Sequence, residues 1–164
     1  MKYSYEWHRL EPREQEIIRK HQGSLPVKLS QIAKDLGLTV KSSTLDAGIS
    51  GEIKKLDQNY LIRVNRHDVK ERQRFTVAHE ISHYLLHREQ IGDGIVDDIL
   101  YRSSLSDSLE AEANRLAADI LMPWDKITDA KESLGELKTE QKIEQIAKLA
   151  EVSVTAIKIR LGKV

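Results

Sequence analysis

The residues best suited to chemistry are Ala78-His79-Glu80-Ile81-Ser82-His83, an HExxH pattern inside a stretch whose apolar spacing is helical. On an α-helix, residues four apart lie about 40° from each other around the axis and one turn along, so the imidazoles of His79 and His83 can reach one ion. Glu80 turns away by about 100°, beside such an ion rather than on it, where it can take a proton from water held there. Phe75, Val77, Ala78, Ile81, Tyr84, Leu85 and Leu86 cover most of the circumference. A helix apolar nearly all round is an interior helix, and buried polar groups need partners. Metal ligation accounts for the whole remaining arc of His79, Glu80, His83 and His87; a hydrogen-bonded histidine pair of the core is the plainer alternative. His87 lies about 12 Å of helix rise from His79, too far for one ion to bind both at ~2.1 Å. It reads as a support for a ligand or as a structural residue.

No cysteine is present, which removes disulfides, thiol catalysis and thiolate metal sites and leaves histidine and carboxylates as ligands. A catalytic zinc with two histidines takes a carboxylate as third protein ligand and keeps a position open for water. The helical stretch from Leu109 to Met122 offers Glu110 and Glu112. A wheel drawn from Glu110 groups Asn114, Ala117, Ala118 and Leu121 on its side and sets Glu112, Arg115 and Asp119 opposite. Glu110 therefore looks inward and Glu112 outward to solvent, while Asn114 can fix the tautomer of a ligand imidazole. Zn2+ is the expected ion, with Mn2+ and Fe2+ as alternatives. Tyr84, Tyr101 and the Arg63–Arg74 group are oxyanion-stabilising candidates that sequence does not rank.

The elements that must position these residues are of mixed type. Pro12–Gln22 and Leu29–Leu36 read as helices, the second stopped by Gly37. Thr39–Leu45, Ile49–Lys55 and Asn59–Asn65 read as strands of a small antiparallel sheet. Val69 to about Arg88 is helical, residues 89–106 read as a loop, and Leu109–Met122 is helical until Pro123. The last third is helical, with Thr139 and Ser153 as N-cap candidates. The 164 residues suit one domain of α+β class, with residues 1–125 as its body and residues 126–164 as a helical segment docked on it.

Twenty-six Lys and Arg balance 26 Asp and Glu, so no global field draws the chain onto nucleic acid. The zero is a sum of opposed segments: residues 63–74 carry a local +3 and residues 89–112 a local −6. A solvated acidic loop is the plain reading of the latter; the alternative is that it borders a cation. No run longer than seven residues lacks a charge, which excludes a spanning helix of roughly 20 apolar residues. The opening Met1-Lys2-Tyr3-Ser4-Tyr5-Glu6 does not read as a secretory leader, and with the absent cysteines this points to the cytoplasm.

The block from Arg74 to His87, followed by Glu110-Ala111-Glu112-Ala113-Asn114-Arg115-Leu116-Ala117-Ala118-Asp119-Ile120-Leu121-Met122-Pro123, resembles the ImmA/IrrE family of metallopeptidase-like proteins. Pro26-Val27 to Leu38, Gly51 and Val64-Asn65 are similar to it as well, so the resemblance covers most of residues 24–123. It implies a zincin-like domain with His79, His83 and Glu110 as metal ligands and Glu80 as the base. It also implies a partner, a helix-turn-helix repressor of the XRE type that is cut or otherwise inactivated, in a stress-response, mobile-element or toxin–antitoxin setting.

Residues Gln145–Leu161 read like a helix-turn-helix, yet Glu151 holds the turn position where glycine usually sits, and residues 126–164 carry a net charge of only +2. Phosphate contacts normally demand more, so direct nucleic-acid binding is the weaker reading and a docked, partner-binding helix pair the stronger. Three functions follow: a zinc endopeptidase in which Glu80 accepts the water's proton, a non-proteolytic module or antitoxin that sequesters its partner, and a DNA-binding regulator acting through the tail.

Overall fold

A computed structural model of the chain describes residues 3–162. Met1, Lys2, Lys163 and Val164, at the outer ends of the two expected units, lie outside the described residues. Four strands form one sheet in the order β1-β3-β2-β4, from β1 (Leu38–Ser43), β2 (Ile49–Leu56), β3 (Asn59–Asn65) and β4 (Ile95–Asp98). The class is α+β, but the sheet is mixed rather than wholly antiparallel: β2 pairs antiparallel with β3 and β4, while β1 runs parallel to β3. The tight β2–β3 hairpin, turned at Asp57 with φ +53, inserts β3 between β1 and β2. Alternation within a strand identifies the strand and carries no information about which edge it takes.

β4 lies within the stretch expected to be a loop. It escapes a hydrophobic reading because its two inward residues are Ile95 and Asp97, both fully buried, and an inward aspartate breaks the alternation. Opposite it, the β2 register slips between Ile49 and Gly51, which leaves Ser50 bulged and sets Gly51 against Asp97. Bulges recur beside active sites, where they re-aim side chains.

The long helix α4 (Lys70–Leu86) crosses β2 and β3, and its residues 76–83 are all buried. Its approach depends on Gly51: a Cβ there would collide with the Thr76 side chain and lie 3.3 Å from Glu80 Oε2. A helix spanning Asp107–Leu121, α5 below, packs along α4, its N-terminus capped by Ser106, whose side chain accepts from Leu109 N at 3.2 Å.

Ahead of the sheet come α1 (Tyr5–Arg9), α2 (Pro12–Lys20) and α3 (Leu29–Asp35). The five-residue α1 is too short to show a period in sequence. It runs antiparallel along α5, with Arg9 on Glu112, Glu6 on Arg115 and the Ser4 backbone N–H on Asp119, at 3.1, 2.6 and 3.1 Å. The side of α5 expected to face water is thus covered by α1.

The tail consists of α6 (Trp124–Ser133), α7 (Thr139–Ala150) and α8 (Val154–Arg160). Lys138 rather than Thr139 is the N-cap residue of α7, while Ser153 caps α8 by accepting from Ala156 N at 3.0 Å. Glu151 ends α7 in the left-handed region, φ +54, and its carboxylate meets Lys70 Nζ at 2.7 Å and Arg74 Nε at 3.5 Å. Arg160 reaches back to Asp119 and to the Met122 carbonyl, both at 2.9 Å. Ile143, Ile146 and Ile157 belong to the same buried cluster as Ile81 and Leu116. Among the described residues no helix is long and apolar enough to cross a membrane.

Candidate metal centre

α4 supplies two imidazoles on one face because four residues make roughly one turn, and α5 brings Glu110 up to them. Glu110 Oε1 lies 3.0 Å from His79 Nε2 and 2.9 Å from His83 Nε2. β4 contributes a fourth group: Asp97 Oδ1 is 3.5 Å from His79 Nε2 and Oδ2 is 3.8 Å from His83 Nε2. One donor atom from each of His79, His83, Asp97 and Glu110 falls within 4.8 Å of the others, and all four residues are buried.

Asp97 is the group that sequence reasoning missed. Two signals pointed toward it, the local −6 around it and the charged residue on the inward side of a short apolar segment. Neither is decisive alone.

The remaining atoms show why these donors fit a cation. Among the described residues, both carboxylate oxygens of Asp97 and both of Glu80 are buried with no hydrogen-bond partner. A buried carboxylate without a partner is costly, and a positive ion amid these donors removes the deficit. An imidazole and carboxylate set suits Zn2+, Mn2+ or Fe2+. In the metal-free protein, burial first, then the negative charges of Asp97 and Glu110, push the Glu80 carboxyl well above its ordinary range. Glu110 moves the other way: burial opposes its ionisation, but hydrogen bonds from His79, His83 and the Ser103 hydroxyl overcome that. For His79, burial would lower the pKa, while Asp97 and Glu110 hold it up at about 9.

Supports stand behind the two imidazoles. His79 Nδ1 is 2.8 Å from Asn114 Oδ1, and His83 Nδ1 is 2.9 Å from His87 Nδ1. Glu112, expected in solvent, instead meets His87 Nε2 at 2.9 Å. Of the three oxyanion candidates, Tyr101 alone adjoins the donors: its ring centroid is 4.9 Å from that of His79 and its hydroxyl 3.2 Å from Thr76 Oγ1. It sits at φ +56, a left-handed backbone that a bulky residue adopts only under constraint. Tyr84 packs edge-on against Tyr60, and Arg63, Arg72 and Arg74 bind Glu52, the Ile99 carbonyl and the Val27 carbonyl. A groove of about 1050 Å³ runs from Phe75, Tyr101 and Asn114 past Met122 at the end of α5 to Val154 and Ile159 on the tail.

The family model Peptidase_M78, described as IrrE N-terminal-like domain, matches residues 33–162. The chain belongs to this family. As an IrrE N-terminal-like domain it carries both blocks of the centre and the tail inside the matched stretch, with α1 and α2 outside it. The radiation response metalloproteases IrrE of Deinococcus deserti and Deinococcus radiodurans are each 37% identical to it over 108 residues, 60% of this chain and 34% and 30% of theirs. The chain thus spans about a third of the length of these curated relatives. A Mycobacterium tuberculosis transcriptional regulator shares the fold, with a TM-score of 0.62 at 14% identity over 98% of this chain and 48% of that one.

Proposed function

We propose that this IrrE N-terminal-like domain is a zinc-dependent endopeptidase that cuts a helix-turn-helix repressor of the XRE type, in the cytoplasm, in a stress-response, mobile-element or toxin–antitoxin setting. The observation that carries the reading is the buried, partnerless Glu80 carboxyl beside four converging donor groups. That the two Deinococcus relatives are metalloproteases supports it. His79, His83 and Glu110 hold the metal, and when bound the ion supplies Lewis acidity, which polarises a carbonyl and acidifies water.

The chain's own residues do the rest. Glu80 accepts the proton of the attacking water at one carboxylate oxygen and delivers it to the leaving amine; its burial and the nearby negative charges of Asp97 and Glu110 raise its affinity for that proton. Asn114 accepts a hydrogen bond from Nδ1–H of His79, which would leave Nε2 as the nitrogen offered to a bound ion, and His87 supports His83. Residues 1–125 form the peptidase body, and residues 126–164 are docked on it and wall the groove in which the substrate chain lies. Val154, Thr155 and Ile159 are the exposed face of α8, and Arg160 is turned inward, which favours a protein over a nucleic acid as what the tail meets.

The test is to mix the purified protein with the product of the neighbouring gene and look for fragments by mass. Cleavage is expected with zinc and none with a chelator. Glu80→Gln is expected to retain zinc and to lose about 100-fold or more of the rate; wild-type cleavage by that variant removes Glu80 from the mechanism. Asp97 favours a second reading. If it joins the other three, the ion has four protein ligands and no open position, as in structural sites. The domain would then sequester its partner, and an intact complex with unchanged partner mass is the corresponding result.

A further inference from the structure

We infer that Arg9, Glu112 and His87 form a positioning chain that fixes the tautomer and orientation of His83, so that the N-terminal helix α1 helps set the metal affinity of the centre. The inference rests on the reading of His83 as a metal ligand. His83 Nε2 points at the converging donors, 2.9 Å from Glu110 Oε1, and its Nδ1 is 2.9 Å from His87 Nδ1. A ligand imidazole presents an unprotonated nitrogen to the ion, so Nε2 is bare and the proton sits on Nδ1. His83 then donates and His87 Nδ1 accepts. The remaining proton of His87 must lie on Nε2, which is 2.9 Å from Glu112 Oε1, an acceptor.

The opposite polarity fails at both ends. It would put a proton on His83 Nε2, toward the ion, and set a bare His87 Nε2 against a carboxylate. The carboxylate is itself secured: Arg9 Nη1 donates to the same Glu112 oxygen at 3.1 Å. His87 is only 2% exposed, and its two ring nitrogens have no other partner among the described residues. The hydrogen bonds to His87 and Arg9 hold the Glu112 carboxyl below its ordinary range, against the opposing effect of burial. His79 has a neutral amide behind it, whereas His83 has, through His87, a carboxylate acceptor fixed by its ion pair with Arg9. Arg9 comes from α1, which is clipped to α5 a turn further on by Glu6 and Arg115 and so cannot drift from Glu112 without breaking a second contact.

The experiment titrates Zn2+ into the metal-stripped full chain against a chromophoric chelator and reads histidine tautomers by 15N NMR. Glu112→Ala is expected to weaken zinc binding by about 10–100-fold. Glu112→Gln, whose amide oxygen still accepts from Nε2–H, recovers most of the loss, and Arg9→Ala shows a smaller loss than Glu112→Ala. Glu6→Gln loosens the same helix without touching His87 and loses no more affinity than Arg9→Ala. NMR of the wild type shows His87 protonated on Nε2 alone. Wild-type affinity in Glu112→Ala, an equal loss in Glu6→Gln, or a His87 proton on Nδ1 overturns the chain. No zinc binding by the wild type overturns the site reading itself, which is a separate outcome.

Discussion

Glu80 holds a carboxyl where the protein offers it no partner, and that has a cost in the metal-free protein. Its folded pKa is raised, so the folded state binds more protons than the unfolded one between the ordinary carboxylate value and the folded value. The unfavourable contribution is absent in acid and grows as pH rises through that window. Glu80→Gln removes it. In thermal melts with chelator, the variant is expected to unfold above wild type near pH ~7, with the gap closing toward pH ~4; parallel curves across that range would show that Glu80 is already ionised or paired. At this scale much was legible in sequence, because HExxH encodes its geometry in one helical turn. Asp97 was not: it converges with His79 and His83 only through a strand pairing, and Glu112 was read as solvated because a wheel marks polarity and carries no information about what lies beyond it.

Between elements, the critical distance is that from β2 to α4. At Gly51 the strand leaves no room for a Cβ, with the Thr76 side chain in its way and Glu80 beside it. Gly51→Ala is expected to destabilise the fold by about 1–3 kcal/mol by forcing the helix off the sheet. Zinc binding should weaken with it, as read by denaturant melts and chelator competition; unchanged values for both would mean the helix yields there freely. α4 and α5 could be recognised beforehand because each is long and helically patterned, from Val69 to about Arg88 in one case and from Leu109 to the stop at Pro123 in the other. β4 and α1 are four and five residues long and are held by pairing and ion pairs rather than by their own pattern, so neither was legible. The parallel placement of β1 was hidden for a similar reason, since edge choice is decided by the β2–β3 hairpin.

Across the whole molecule, the four converging donor groups come from α4, β4 and α5, and an ion held among them would tie these elements together beyond the His79–Asn114 and His87–Glu112 hydrogen bonds. A ligand that binds only the folded chain adds about 2.7 kcal/mol at a free concentration 100 times its dissociation constant. For a chain of this size that corresponds to a melting point roughly 5–10 °C higher. Adding Zn2+ to the stripped protein is expected to give that rise, and excess chelator to reverse it; a melting point indifferent to both would place no ion at the centre. α5 ties these scales together. From Leu109 to Leu121 only Arg115 is exposed, and it is bound to Glu6. The helix has an amphipathic sequence and no free side. A saturation scan should therefore lack the usual rhythm of tolerated substitutions every three or four positions there, and this stretch, with residues 72–86 of α4, should drift more slowly than the other helices, leaving variation in partner choice to the groove wall formed by α8.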